Sequence, residues 1–107
     1  MKKALFFFSP LIILFSINCL AQETDKNFEN GVKSFQSKNY NEAITFFTAS
    51  MVEYPSASNA YFNRAVSYFY IGDSCHFCAD LKVASSLGHS DAPKLYDENC
   101  TFRHIEP

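Results

Sequence analysis

Apolar and small side chains recur at matching positions when the chain is compared with itself at a fixed shift, the one that places Phe28 on Phe62. Large apolar residues fall on large apolar residues, and small residues fall on small ones. The matched pairs are Phe28 and Phe62, Gly31 and Ala65, Val32 and Val66, Phe35 and Phe69, Phe47 and Leu81, Ala49 and Val83, and Ser50 and Ala84. Many of these positions lie three or four apart, which is the spacing of one helix face. The pattern therefore predicts two helical hairpins of similar shape.

Five helices are predicted, separated by residues that stop a helix. Pro55 breaks the chain after the second helix, and Gly72 and Gly88 end the third and the fourth. Pro93 falls in the first turn of the fifth helix, where proline is tolerated. By the same shift the fifth helix corresponds to the start of the third, so we expect it to cap the exposed apolar face of the fourth. The predicted ranges are about 25–37, 41–53, 58–71, 74–87 and 91–100.

The start of the chain, residues 1–21, has the layout of a secretory signal. A basic start is followed by an almost wholly apolar stretch over residues 4–20, and Ala21 offers a small residue for cleavage. Cleavage there leaves a mature chain numbered 22–107. The predicted location is the periplasm or the outside of the cell, with association with the envelope left open. A retained N-terminal anchor and lipidation at Cys19 are the alternatives, and they are the only membrane attachments expected.

Length and charge limit the function of the exported domain. The whole chain carries 9 basic and 11 acidic residues, and loss of Lys2 and Lys3 makes the remainder more acidic. No basic stripe is available to neutralise phosphates, so nucleic acid is not an expected partner. A chain of this length also excludes a large enzyme and a two-domain architecture.

No catalytic constellation is recognisable among the polar residues. The sequence has no Ser/His/Asp set and no Gly-rich phosphate loop, and the three histidines are scattered. We therefore expect no enzymatic activity, no cofactor and no metal. The histidines, expected on the surface, are His76, His89 and His104. The acidic residues, expected to form a solvated face rather than a calcium loop, are Asp73, Asp80, Asp91, Asp97 and Glu98.

The residues inside each unit resemble the tetratricopeptide (TPR) repeat family, whose period of about 34 residues equals the shift found here. In the first unit Ala43 and Phe47 have the A-x3-F spacing of that family and precede Pro55. The matching residues of the second unit are Tyr61, Ala65, Tyr68, Gly72, Asp73, Leu81 and Ala84. Two positions depart from the family pattern, Asn27 in the first unit and Phe77 in the second. The resemblance implies an all-α solenoid with repeats at about 24–57 and 58–90, a capping helix at about 91–100 and a tail at 101–107.

In TPR proteins the first helix of each repeat lines a concave groove that binds a peptide or a protein. The seven groove residues that the resemblance implies are Phe28, Val32, Phe35, Phe62, Val66, Phe69 and Tyr70. The implied function is a non-catalytic interaction module with an unidentified protein or peptide partner. Aromatic side chains suit this role because they supply a large contact area at low entropy cost. In the alternative, the same residues are buried by the cap, the tail or a second copy of the chain. Separately, Lys33 and Arg64 are candidates to contact an acidic ligand, although the Lys/Asn arrangement of a carboxylate clamp is absent.

The C-terminal part is similar to the last repeat and capping helix of small exported TPR proteins of the Bacteroidota type. That pattern is roughly G-D-x3-A-C-x-D-[LW]-x2-A-x2-L-G, followed by a short helix that ends in Cys. Cys78 and Cys100 stand at its two cysteine positions, whereas Cys75 is additional. The resemblance implies a Cys78–Cys100 disulfide that closes the loop 78–100. In the chain-entropy model such a loop is worth about 3 kcal/mol. Cys75–Cys100 is the competing pair because Cys75 and Cys78 lie on neighbouring positions of one helix face.

The cysteines also support an alternative function. Cys75, Cys78 and Cys100, with His104, have the ligand types of a Cys3His zinc site. The Cys-x2-Cys spacing also admits a small thiol-redox protein, although the βαβ pattern of thioredoxin-like proteins is absent. We keep three further hypotheses beside the predicted disulfide: zinc binding, thiol redox chemistry and free thiols.

Overall fold

The structure, a computed structural model, describes residues 25–101, and all regular structure within that range is helical. Five helices follow one another along the chain: α1 (Lys26–Gln36), α2 (Tyr40–Glu53), α3 (Ser58–Tyr70), α4 (Ser74–Ser86) and α5 (Ala92–Cys100). Every helix end lies within one residue of the predicted end. The prediction of an all-α fold is confirmed. The predicted signal, cleavage at Ala21, lipidation at Cys19 and the tail beyond Thr101 lie outside the described residues.

Two helices begin at aspartates that accept hydrogen bonds from backbone N–H groups. Asp25 precedes α1, and its Oδ1 accepts from the N–H of Phe28 at 2.9 Å. Asp73 precedes α4, and its Oδ1 accepts from the N–H of His76 at 3.1 Å. Each carboxylate satisfies one of the donors that the first turn leaves without an intrahelical partner. α5 begins differently, with Pro93 in its first turn as predicted.

Three helices end in the same backbone geometry, a Schellman motif with one residue in the left-handed region. Gly72 after α3 and Gly88 after α4 have φ values of +83° and +93°. After α1 the left-handed position is held by Lys38, with φ +63°. The N–H groups of Lys38 and Asn39 donate to the carbonyls of Phe35 and Ser34 at 2.9 and 2.8 Å. The two glycines are the stop residues that the sequence predicts, whereas the lysine carries a steric cost that a glycine avoids.

The helices pack in sequence order, each against the next, and α1 also contacts α3. A buried cluster joins α3, α4 and α5, and it includes Ala65, Phe77, Leu81 and Ala92. Phe77, which departs from the family pattern, is therefore a core residue at 4% exposure. α5 covers the apolar face of α4, as expected of a capping helix.

The first hairpin is packed around Phe47, which is 1% exposed. A methyl group at Gly31 would lie 2.6 Å from Cε1 of that ring, so only a glycine admits the ring at this point. The matching positions of the second hairpin are Ala65 and Leu81, both fully buried. A larger residue on one helix is thus paired with a smaller one on the other in each hairpin. This exchange of volume maintains close packing in both units.

Within residues 25–101, no helix combines the length and the apolar character that a membrane crossing requires.

Candidate functional site

A cavity of about 330 Å³ lies where α1, α2 and α3 meet. We call it the groove cavity, and its lining residues are Val32, Phe35, Gln36, Phe47, Phe62, Asn63 and Val66. Its volume is at the lower end of the range for ligand-binding clefts. Five of its lining residues are apolar, two carry side-chain amides and none is charged. The arrangement therefore suits an uncharged apolar group more than an ion.

Four of the seven predicted groove residues line this cavity. Val32 and Phe35 come from α1, and Phe62 and Val66 come from α3. Spacings of three and four positions place each pair on one face of its helix. The contact between α1 and α3 brings the two faces together. Val32 and Val66, which occupy matching positions of the two sequence units, thus lie in the same cavity.

Three residues of the groove cavity were not among the predicted groove residues. Phe47 reaches it from α2 and is almost completely buried. Gln36 and Asn63 each follow a predicted groove residue by one position. The A-x3-F spacing identifies Phe47 as a packing residue, but it does not reveal the free space beside the ring. The two amides could have been predicted from their places next to Phe35 and Phe62 in the sequence. The inward face of a helix is wider than one row of side chains, so a residue one position further along can also border the cavity.

The other three predicted groove residues are not part of the cavity lining. Phe28 packs against Phe47, with ring centroids 5.6 Å apart. Phe69 packs against Phe77 at 5.2 Å and is nevertheless 54% exposed. Tyr70 is 56% exposed. The seven residues therefore have different surroundings, and only four of them border the cavity.

An aromatic cluster stands at the C-terminal end of α3. Tyr70 stacks on Tyr40 with ring centroids 4.9 Å apart and the planes 7° from parallel. The edge of Phe35 meets both rings, at 5.4 Å for Tyr40 and 5.6 Å for Tyr70. Contacts of this kind add to the burial of apolar area. Because Phe35 belongs both to this cluster and to the groove cavity, the cluster fixes one wall of the cavity.

A buried ion pair connects α3 to α4. Arg64 donates from Nε to Asp80 Oδ2 at 2.7 Å and from Nη2 to Asp80 Oδ1 at 2.8 Å. A third hydrogen bond, from Arg64 Nη1 to Thr48 Oγ1 at 3.1 Å, reaches α2. The hydrogen bond to Asp80 is the main reason that the pKa of Arg64 lies above its ordinary value. The rings of Tyr61 and Tyr68 lie 6.0 and 5.7 Å from the guanidinium carbon.

This ion pair corrects two expectations from the sequence. Asp80 is only 5% exposed, so the prediction of a solvated carboxylate is wrong. The guanidinium of Arg64 is occupied by hydrogen bonds to Asp80 and Thr48, so it is not available to an acidic ligand. Lys33 is exposed. The physical reason is that a carboxylate buried in the core requires a charged, bidentate partner.

Two histidines that were expected to be simply solvated make specific contacts. His89 stacks on Phe62, with ring centroids 4.0 Å apart. His76 stacks on Tyr68 at 4.8 Å, and its Nδ1 lies 2.6 Å from Asp73 Oδ2. The pKa of Asp73 is held below its ordinary value, first by the backbone N–H of His76 and then by the ring of the same residue. Asp73 therefore serves as a helix cap.

The cysteines pair as the resemblance implies, with a disulfide between Cys78 and Cys100 across a Cα–Cα distance of 5.7 Å. That predicted pairing is confirmed, and the competing pair with Cys75 is not formed. Cys75 is exposed and has no disulfide partner within the described residues. In this state Cys78 and Cys100 have no thiolates to offer to zinc. Residues 25–101 contain no group of three metal-ligating side chains, and His104 lies outside that range.

Comparison of the chain with protein-family models, with curated proteins and with solved structures found no match. The class of protein is therefore defined by its architecture. Residues 25–101 form an all-α unit whose helices pack in sequence order. An apolar cavity lies where the first three helices meet, and a disulfide attaches the last helix.

Proposed function

We propose that this chain is an exported, non-catalytic interaction module of the TPR type that binds a peptide or an extended protein segment in the groove cavity. Two helical hairpins form the body of the module and α5 caps its end. The support for the repeat architecture is the match between the two sequence units and the contact of α1 with α3. The sequence features of a secretory signal and the disulfide support export.

The single observation that carries the binding proposal is the composition of the groove cavity. Its walls are apolar and aromatic, and the amides of Gln36 and Asn63 are the only polar side chains that line it. An apolar side chain of a ligand gains free energy by leaving water for such walls. Amide groups can donate to and accept from a peptide backbone at the same time. These two properties together favour a peptide with a large, uncharged apolar residue.

Selection from a displayed library of random linear peptides tests the proposal directly. We expect enrichment of peptides with an apolar residue flanked by uncharged positions, and binding measurable by isothermal titration calorimetry. Val66→Lys places a charge on the cavity wall and should weaken the selected peptides at least about tenfold. Val83→Lys is the matched control, because Val83 is exposed on α4 and outside the cavity.

Two results would overturn the proposal. One is a selection that yields no peptide above background. The other is a set of peptides that bind the Val66→Lys protein as tightly as the original protein. Circular dichroism and thermal unfolding of both lysine variants establish that a loss of binding reflects the cavity and not the fold.

A further inference from the structure

Cys75, the cysteine of α4 that is outside the disulfide, neighbours Cys78 on the surface of that helix. Cys75 is in the first turn of α4, and Cys78 follows it three positions later in the same helix. Residues with this spacing are neighbours on a helix surface. Cys75 is exposed and Cys78 is only partly buried, so both residues are in contact with solvent. A free thiol therefore stands beside one sulfur of an existing disulfide.

That disulfide is the covalent attachment of α5 to α4. The helix has nine residues, of which only Ala92 and Cys100 are buried. Leu95 and Tyr96 are partly buried against the same cluster. A helix of this length is marginal in water without tertiary contacts. Since one of its two buried residues is the disulfide cysteine itself, loss of the disulfide removes both the covalent link and part of the packing.

We propose that Cys75 and the Cys78–Cys100 disulfide form an internal exchange switch that releases α5 from α4. The thiolate of Cys75 attacks Sγ of Cys78. The Cys75–Cys78 bond forms as the Cys78–Cys100 bond breaks, and Cys100 leaves with the electron pair as a thiolate. The proton lost by Cys75 and the proton taken up by Cys100 both exchange with water. One thiol and one disulfide are present before and after the step, so no oxidant or reductant is consumed.

Helix geometry keeps the released state in the minority. Neighbours on one helix face have Cβ atoms about 5–6 Å apart, whereas a disulfide requires about 3.5–4.5 Å. The first turn of α4 must therefore loosen before Cys75 and Cys78 can join. That turn is at the helix end, where helices open most readily. Release uncovers the apolar face of α4 that includes Leu81 and Ala84, which α5 otherwise covers.

Disulfide mapping of the purified protein tests the switch. The protein is held in mildly alkaline buffer without added thiol, quenched with acid, alkylated in denaturant and digested with trypsin. Trypsin separates peptide 65–82, which contains Cys75 and Cys78, from peptide 95–103, which contains Cys100. We expect a minor fraction, about 0.1–10%, in which peptide 95–103 is alkylated and peptide 65–82 carries an internal disulfide. The rate of its appearance should not depend on protein concentration.

The matched control moves the thiol without removing it. The double variant Cys75→Ser/Ala79→Cys keeps one thiol in α4 but places it next to Cys78 in sequence, where side chains do not face each other. We expect no exchanged form in this variant. The proposal is wrong if the original protein yields only the linked peptides with Cys75 alkylated. It is also wrong if alkylation is found on Cys78 instead of Cys100. That result would mean that Cys75 has paired with Cys100, and this bond still holds α5.

A second measurement tests whether the disulfide holds the helix. In Cys75→Ser/Cys78→Ser, which leaves no cysteine in α4 to pair with Cys100, amide hydrogen exchange of residues 92–100 should accelerate at least about tenfold more than that of residues 58–70. Unchanged protection of residues 92–100 would refute the release of α5, whatever the mapping shows. If this variant does not fold, the mapping of the original protein decides the question alone.

Discussion

At the scale of single residues, Gly31 shows how a side chain can be selected by the space beside it. Phe47 is fully buried and cannot move its ring into solvent. A Cβ at position 31 would lie within 3.0 Å of three atoms of this ring. The better helix propensity of alanine, worth about 1 kcal/mol, is outweighed by overpacking, which costs about 1–3 kcal/mol.

Gly31→Ala is therefore expected to lower the free energy of unfolding by up to about 2 kcal/mol. In a Phe47→Leu background the same change should cost nothing or stabilise, because it reproduces the pair at Ala65 and Leu81. Urea unfolding of the four proteins of this cycle measures the coupling, expected at about 1 kcal/mol or more. Additive effects would show that the two positions do not compete for the same space.

Lys38 affects stability through its backbone conformation. Its φ of +63° costs a non-glycine residue about 1–2 kcal/mol. A glycine avoids this cost, but it raises the conformational entropy of the unfolded chain, which lowers stability by about 0.4–1 kcal/mol. Lys38→Gly should therefore raise the free energy of unfolding by about 0.5–1 kcal/mol. Lys38→Ala is the control and should change little, because it keeps the strain. Gly72→Ala should destabilise, and a stabilising effect there would contradict this account.

At the scale of helices, the ion pair of Arg64 and Asp80 connects three elements at one point. The carboxylate is buried, and the arginine side chain is 20% exposed. Hydrogen bonds from one guanidinium to α4 and α2 hold α3 between them. Removal of one partner would leave the other charge poorly solvated in the interior.

Asp80→Ala is expected to cost about 2–3 kcal/mol, at the low end for a buried pair because the arginine retains some contact with water. Arg64→Lys should cost about 1–2 kcal/mol, since an ammonium cannot reproduce the two parallel hydrogen bonds. Lys94→Ala removes the exposed ion pair with Glu98 and serves as the control, with an expected change below about 0.5 kcal/mol. Chemical unfolding of each variant checks these values, and equal costs for the buried and exposed pairs would contradict them.

At the scale of the whole molecule, stability depends on the disulfide that attaches the last helix. The double variant Cys78→Ser/Cys100→Ser removes the constraint on the loop 78–100. We expect a loss of about 3 kcal/mol in the free energy of unfolding, which is a large share of the total for a small domain. Cys75→Ser should change stability by less than about 0.5 kcal/mol, because Cys75 is exposed. Denaturant unfolding without reductant distinguishes the two, and a similar loss in both variants would show that Cys75 also stabilises the fold.

The sequence by itself determined the helices and the stops between them. The apolar spacing and the positions of Pro55, Gly72 and Gly88 were sufficient for this, because helix periodicity and helix termination are local properties. The internal sequence match also identified which faces of the first and third helices correspond. The pairing of Cys78 with Cys100 came from a family resemblance, and the residues alone left Cys75 as an alternative.

Only the tertiary structure decided which side chains leave space and which fill it. Phe28 and Phe62 match in sequence, yet Phe28 packs against Phe47 while Phe62 borders the groove cavity. In the sequence Asp80 has the features of a surface carboxylate, and only the structure shows that Arg64 of another helix pairs with it. Cavities and buried ion pairs arise from residues that are distant along the chain, so no local pattern records them. Spacing shows that a side chain faces inward, but the volume and charge of its neighbours determine what it meets there.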